Sequence, residues 1–156
     1  MSFKYPGAGN EPVLKNINLT IPQEKVTAIV GMSGSGKTTL IKLLLKFYEG
    51  YEGEISLGST GFRTISPKYW RSISGAVMQE SYIFSDNIRR NITVTHEKAD
   101  EKRLAQACRT ANILTYIESM PLGFNTKIGA EGAGLSGGQK QRLAIARAVY
   151  KDPRYL

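Results

Sequence analysis

Gly31-Met32-Ser33-Gly34-Ser35-Gly36-Lys37-Thr38 is the stretch that decides the fold. It fits Gly-x-x-x-x-Gly-Lys-Thr, a spacing whose chemistry suits a chain of phosphates. Glycines let the backbone turn tightly enough for successive N–H groups to point inward at phosphate oxygens. A helix starting at the end of the loop would aim its positive dipole end at the same place. Lys37 adds a mobile full charge for the outer phosphates, and the Thr38 hydroxyl is a ligand type that suits Mg²⁺. The flanks matter as much as the loop. Val26-Thr27-Ala28-Ile29-Val30 is nearly all apolar or β-branched, the pattern of a strand buried on both faces. From Gly36 the spacing turns helical, with Leu40, Ile41, Leu43, Leu44 and Phe47 on one broad apolar face. Strand, glycine loop and helix open a βαβ unit, which sets this stretch apart from a glycine-rich turn with no ligand.

Working outward, residues 2–5 and 14–21 carry strand patterns, the second with Ile17, Leu19 and Ile21 alternating with polar neighbours. Pro6-Gly7 and the Gly9-Asn10 region mark the turn between them. Residues 54–57 and 72–79 add two short strand candidates. Helical character returns near 87–91 and is strongest over 100–120, where Leu104, Ala107, Cys108, Ala111, Leu114 and Ile117 keep helical spacing up to Pro121. A last helix is expected from Ser136 to about Tyr150, stopped by Asp152-Pro153.

The sequence has 156 residues, enough for one domain with a real core. At 41% hydrophobic and 22% charged residues it has a globular composition, and no run approaches the ~20 apolar residues of a membrane span. Cys108 is the single cysteine, which excludes an internal disulfide and suits a small buried apolar role. His96 stands in a polar stretch without a second ligand nearby, as a surface histidine does. The formal charge of +8 is scattered, and aromatics do not alternate with the basic residues as nucleic-acid binding to a single strand would need. No nucleic-acid partner is expected.

A second motif is Leu135-Ser136-Gly137-Gly138-Gln139. Locally, Ser136 and Gln139 make a Ser-x-x-Gln capping box. Two glycines in a first turn weaken a helix, however, and suit a site where something approaches the backbone closely. Capping and a phosphate contact both remain open on the residues alone.

Together these segments resemble the nucleotide-binding domain of ABC transporters, over essentially the whole sequence. Residues 31–38 look like the Walker A loop and residues 135–139 match the ABC signature letter for letter. The resemblance implies nucleotide contacts at Tyr5, Gly31, Ser33, Gly34, Ser35, Gly36, Lys37, Thr38 and Thr39. Tyr5, in Phe-Lys-Tyr-Pro-Gly, sits where the family stacks an aromatic on adenine, though alone it is equally an ordinary strand-edge aromatic. Gln79 takes the place of the Q-loop glutamine; with Thr38 it would meet Mg²⁺, and with Lys37 it would serve catalysis. Residues 126–134 are similar to the X-loop of exporters, and the wording up to Gln139 is like that of peptide and bacteriocin exporters. One departure is Ala130, where many exporters have glutamate ahead of Glu131.

The fold implied is α/β, a P-loop NTPase of the ABC ATPase type. Residues 1–85 would form mainly the ATP-binding core and an antiparallel β lobe (1–30 and 51–60) around a parallel sheet. Residues 86–150 would form a helical lobe carrying the signature. ATP and Mg²⁺ are the implied cofactors. A second nucleotide-binding domain and a transmembrane domain are the implied partners, on the cytoplasmic side of a membrane, for an export ATPase. Rival readings are a soluble ABC ATPase, a nucleotide-binding module without hydrolysis and, more distantly, a P-loop kinase. The family's Walker B aspartate, its glutamate and a switch histidine would follow Leu156, and the core sheet is incomplete without that strand. Purified residues 1–156 are therefore expected to bind ATP weakly and to release no phosphate from it; steady phosphate release in a coupled assay would contradict this.

Overall fold

The computed structural model describes residues 1–7, 9, 11–79, 81–94, 99–130, 132 and 134–156. Asn10, His96 and Glu131, on which the sequence raised expectations, lie outside that set. The fold is mixed α/β in two compact units, Met1–Ser72 and Ile73–Leu156.

In the first unit, the N-terminal segment is held from both sides. Ser2 bridges Glu52 and Phe3 bridges Leu14, both antiparallel. The Phe3–Leu14 bridge closes with N–H···O bonds of 2.9 and 3.1 Å. Helix α1 (Lys37–Leu44) lays Leu40 and Leu43 against Phe3, Leu14 and Tyr51, the buried centre of this unit. A hairpin of β1 (Ser56–Leu57) and β2 (Thr60–Gly61) leads through a 3₁₀ turn, Phe62–Thr64, into α2 (Pro67–Ile73). The buried Trp70 of α2 packs edge-on against Phe62, and its indole N–H donates to Leu44 O at 2.6 Å. That bond satisfies one of the carbonyls left open at the end of α1.

The second unit is mainly helical. Strand β3 (Asp86–Asn87) pairs antiparallel with β4 (Lys127–Ile128). Helix α3 (Ile88–Thr93) follows, its N-cap Asn87 accepting from Arg90 N. Helices α4 (Glu101–Thr110), α5 (Leu114–Glu118) and α6 (Gly137–Tyr150) complete the unit. Ile88, Ile92, Leu104, Cys108, Ile113, Ile117, Ile128 and Leu143 meet in its core, all close to fully buried. The α4 spacing of Leu104, Ala107 and Cys108 delivers one apolar stripe, and Asp100 caps that helix by accepting from Arg103 N at 3.1 Å.

Several strand expectations do not hold. Residues 26–30 form no ladder, and Val26 and Val30 are exposed rather than covered on both faces; Ile29 alone packs on the core. A β-branched run becomes a strand only where neighbours take its N–H and C=O groups. Among the described residues nothing pairs with it. The neighbouring candidates fall short too: of 14–21, Leu14 makes a bridge, while Leu19 and Ile21 are exposed. Of 2–5, Ser2 and Phe3 make bridges, and of 54–57, Ser56 and Leu57 are strand. Residues 72–73 finish α2, and Ser74 makes one parallel bridge to Tyr155 in place of a strand to Gln79. The overlooked signal is Ser66-Pro67: Ser66 Oγ accepts from Tyr69 N at 3.1 Å, and proline suits the first helical position. The helix expected over 100–120 breaks at Asn112, whose φ of 53° is left-handed. Likewise α1 stops at Leu44, because Lys46 turns left-handed at φ 57° and leaves Phe47 exposed instead of on the apolar face.

Cys108 is buried as expected, and burial pushes its thiol up to about 12. Because the thiolate is the reactive form, alkylation of the native protein at pH 8 should run on the order of a thousandfold slower than in urea. Rapid labelling without denaturant would show that this core opens readily.

Candidate functional site

The loop before α1 is exposed, and the helix end it feeds is open. Gly36 is the N-cap of α1, in the left-handed region at φ 88°, and no side chain caps the helix. The first-turn N–H groups therefore lack intrahelical partners and carry the positive end of the dipole outward. Gly31, Ser33, Gly34, Ser35 and Thr38 are exposed. Lys37 folds back across the mouth of the loop, its Nζ donating to Gly31 O at 2.8 Å, Met32 O at 2.6 Å and Ser35 Oγ at 3.3 Å. The ammonium thus sits beside an uncapped helix start, two positive features at one exposed place.

Gly36 is also where the loop touches the core. A β-carbon there would lie 2.6 Å from Leu14 Cδ2 and 3.2 Å from Val13 O. Gly34, at φ 79°, has open space around it instead.

Tyr5 and Thr39 come together. Their hydroxyls are 2.9 Å apart, and Thr39 is buried in the first turn of α1. The Tyr5 ring packs edge-on against Phe3 and Tyr48, with centroids 5.2 Å away in both cases. Beside it Pro6, Gly7, Tyr48 and Glu49 help to line an open cavity of about 230 Å³.

In the second unit, Ser136 caps α6 through a full capping box. Its Oγ accepts from Gln139 N at 3.3 Å, while Gln139 Oε1 accepts from Ser136 N at 2.8 Å. The hydroxyl proton of Ser136 and the N–H groups of Gly137 and Gly138 take no part in the box. Leu135 packs on the helical core. A β-carbon on Gly137 would meet nothing within 4 Å, and one on Gly138 would meet only Arg142 Nη1 at 3.4 Å. Packing does not demand glycine at these two places. Gln79 is exposed and shares an open groove of about 380 Å³ with Ser81, Gly137, Lys140 and Gln141. Of the expected exporter-like loop, residues 126–134, Lys127 and Ile128 pair with Asn87 and Asp86. Gly129, at φ 97°, approaches Ser85 so closely that a β-carbon would lie 2.9 Å from its Cα.

Two residues here escaped the sequence reading. Asn91 is fully buried, and Arg147 reaches it from the far half of α6, with Nε donating to Asn91 O at 2.7 Å. Burial holds the Arg147 guanidinium below its ordinary value. The available signals were an asparagine in the apolar stripe of Ile88 and Ile92, and an arginine between Ala146 and Ala148.

Comparison with known proteins supplies the family. Residues 14–156 match the family described as ABC transporter. The chain belongs to the ABC transporter family. Relatives aligning with 100% of this ABC chain include ABC transporter B family member 6 of Dictyostelium discoideum, at 41% identity, and B family member 14 of Arabidopsis thaliana, at 43%. ATP-binding cassette sub-family B member 5 of Mus musculus is 41% identical. The chain spans 24%, 12% and 12% of their respective lengths. A solved structure of a bacterial Atm1-family ABC exporter with ATP bound aligns with 78% of this chain and 22% of its own, at 37% identity and a TM-score of 0.72. This ABC chain is thus a nucleotide-binding domain with B-family exporter relatives.

The two loop glycines should respond differently to substitution. Gly36→Ala combines a left-handed residue with a core collision and should lose about 2–4 kcal/mol of stability. Gly34→Ala meets only the left-handed penalty of ~1–2 kcal/mol. Urea titrations giving equal losses would refute the close approach of the loop to Leu14.

Proposed function

We propose that this chain binds Mg-ATP on residues 31–39 and, in a longer exporter, takes part in its hydrolysis to drive transport across a membrane. The observation that carries the reading is the uncapped, exposed start of α1 with the Lys37 ammonium beside it. These groups fit a triphosphate: N–H donors, a helix dipole and a full positive charge converge where the space around Gly34 is open. Gly31, Ser33, Gly34, Ser35 and Gly36 let the backbone present its N–H groups, while Lys37 leaves the carbonyls of Gly31 and Met32 for the outer phosphates. Thr38 and Gln79 would hold Mg²⁺, which would supply positive charge against the phosphates. Thr39 anchors the first turn through Tyr5, and Tyr5 offers its ring to the base at the rim of the 230 Å³ cavity.

Residues 135–139 would close over the γ-phosphate held by a second nucleotide-binding domain, paired head to tail. The open space at Gly137 and the free proton of Ser136 support that reading. The helices of the second unit would form the lobe that carries this turn, and residues 1–85 mainly the ATP-binding core and its β lobe. Completion of a parallel core sheet, and the carboxylates that position water, are proposed to come from the longer protein. Without them this piece would not turn ATP over. This chain would lie on the cytoplasmic side of the membrane, where a transmembrane domain would dock on the segments around Gln79 and 126–134. The resemblance of residues 132–139 to peptide exporters makes a peptide the proposed cargo.

In the full-length protein, Lys37→Ala should weaken ATP retention at least about tenfold, since a charge-assisted hydrogen bond contributes ~1.5–3 kcal/mol. Unchanged uptake of labelled Mg-ATP by that variant would sink the proposal.

A further inference from the structure

We propose that Arg147 and Asn91 form a strut by which α6 sets the position of the segment following Gln79, making both positioning residues for the ATP-dependent step. The inference rests on the function proposed above.

Asn91 is the hub. Its Oδ1 accepts from Phe84 N at 2.8 Å, and its Nδ2 donates to Phe84 O at 2.9 Å, Asn87 O at 3.1 Å and Asp86 O at 3.3 Å. Arg147 adds the tie to α6. Nε donates to Asn91 O at 2.7 Å, Nη2 to Asn91 Oδ1 at 3.4 Å and Nη1 to Tyr82 O at 3.0 Å. The guanidinium lies 5.3 Å from the centroid of the Phe84 ring. Among the described residues it forms no ion pair with a carboxylate. Carbonyl dipoles and a ring face meet its charge, so its fork geometry, rather than charge alone, fixes the contact.

The path of the chain turns this into a mechanical link. Residues 81–85 belong to no helix or ladder, so their course is set by bonds to Asn91 and Arg147. Gln79 shares a groove with Gly137 and Lys140 in the first turn of α6, and Tyr82 O and Phe84 meet Arg147 about ten residues further along the same helix. At 1.5 Å per residue those two attachments are ~15 Å apart on one continuous helix. A tilt of α6 at the Ser136 end is therefore carried to the far end of the Gln79 segment. A lysine at 147 would keep the charge, but it could not reach Asn91 O and Tyr82 O with one planar fork.

The test compares Arg147→Lys with the parent in the full-length protein, alongside Lys37→Ala. Arg147→Lys should lower kcat for ATP at least about tenfold, leave the ATP Kd within about twofold and shift Tm by only a few degrees. Amide hydrogen exchange should accelerate over residues 82–87 and stay unchanged over 101–110. If Arg147→Lys does not fold, Phe84→Leu, which keeps the backbone bonds and removes the ring's contacts with Arg147 and Tyr82, should show the same split between kcat and Kd at smaller size. An unchanged kcat, or a kcat that falls only in step with Kd or the folded fraction, overturns the strut. ATP binding unaffected by Lys37→Ala would instead bring down the underlying function and this inference with it, an outcome distinct from a failed strut.

Discussion

The start of α1 is the constraint from which the candidate site follows. Its first-turn N–H groups have no capping side chain, and the backbone ahead of them runs so near Leu14 that a β-carbon at position 36 would press on its Cδ2 at 2.6 Å. The same helix buries Leu40 and Leu43 in the core of its unit. The loop is therefore fixed at its base by packing and left unsatisfied at its tip. A helix end this exposed is ordinarily closed by Ser, Thr, Asp or Asn. Here glycine occupies that position, leaving the donors available to a ligand from outside.

The opposite solution stands at α6. Ser136 and Gln139 satisfy each other across the first turn, so that helix is stable without a ligand. Its glycines still leave the backbone approachable, because neither packs against the rest of the unit. One helix start thus leaves its donors open, while the other is finished internally and keeps only a hydroxyl and two N–H groups to offer. That division is the one the proposed head-to-tail pairing calls for.

What was legible in the sequence was local. The glycine loop, the Ser136 cap and the stripe through Leu104 and Cys108 depend on residues a few positions apart, and each appears where the pattern put it. The strands were only partly legible, because a β-branched run such as 26–30 states a preference that only a neighbouring strand can fulfil. Helix α2 was missed although Ser66-Pro67 announces it locally. The Asn91–Arg147 contact spans 56 residues and has no short-range signature beyond a polar residue in each of two apolar stretches. The loop and the signature together carried the resemblance to the family; the bonding that links the signature helix to the segment after Gln79 has no such local motif.

The indole bond between Trp70 and Leu44 has a practical side. Trp70 is the only tryptophan in the sequence, and it is buried against Phe62 at the carboxyl end of the helix whose amino end carries Lys37. Loss of that bond would move an indole from a dry aromatic pocket toward solvent. This stretch of chain consequently carries a single indole, whose emission colour reports whether the helix behind the glycine loop is seated.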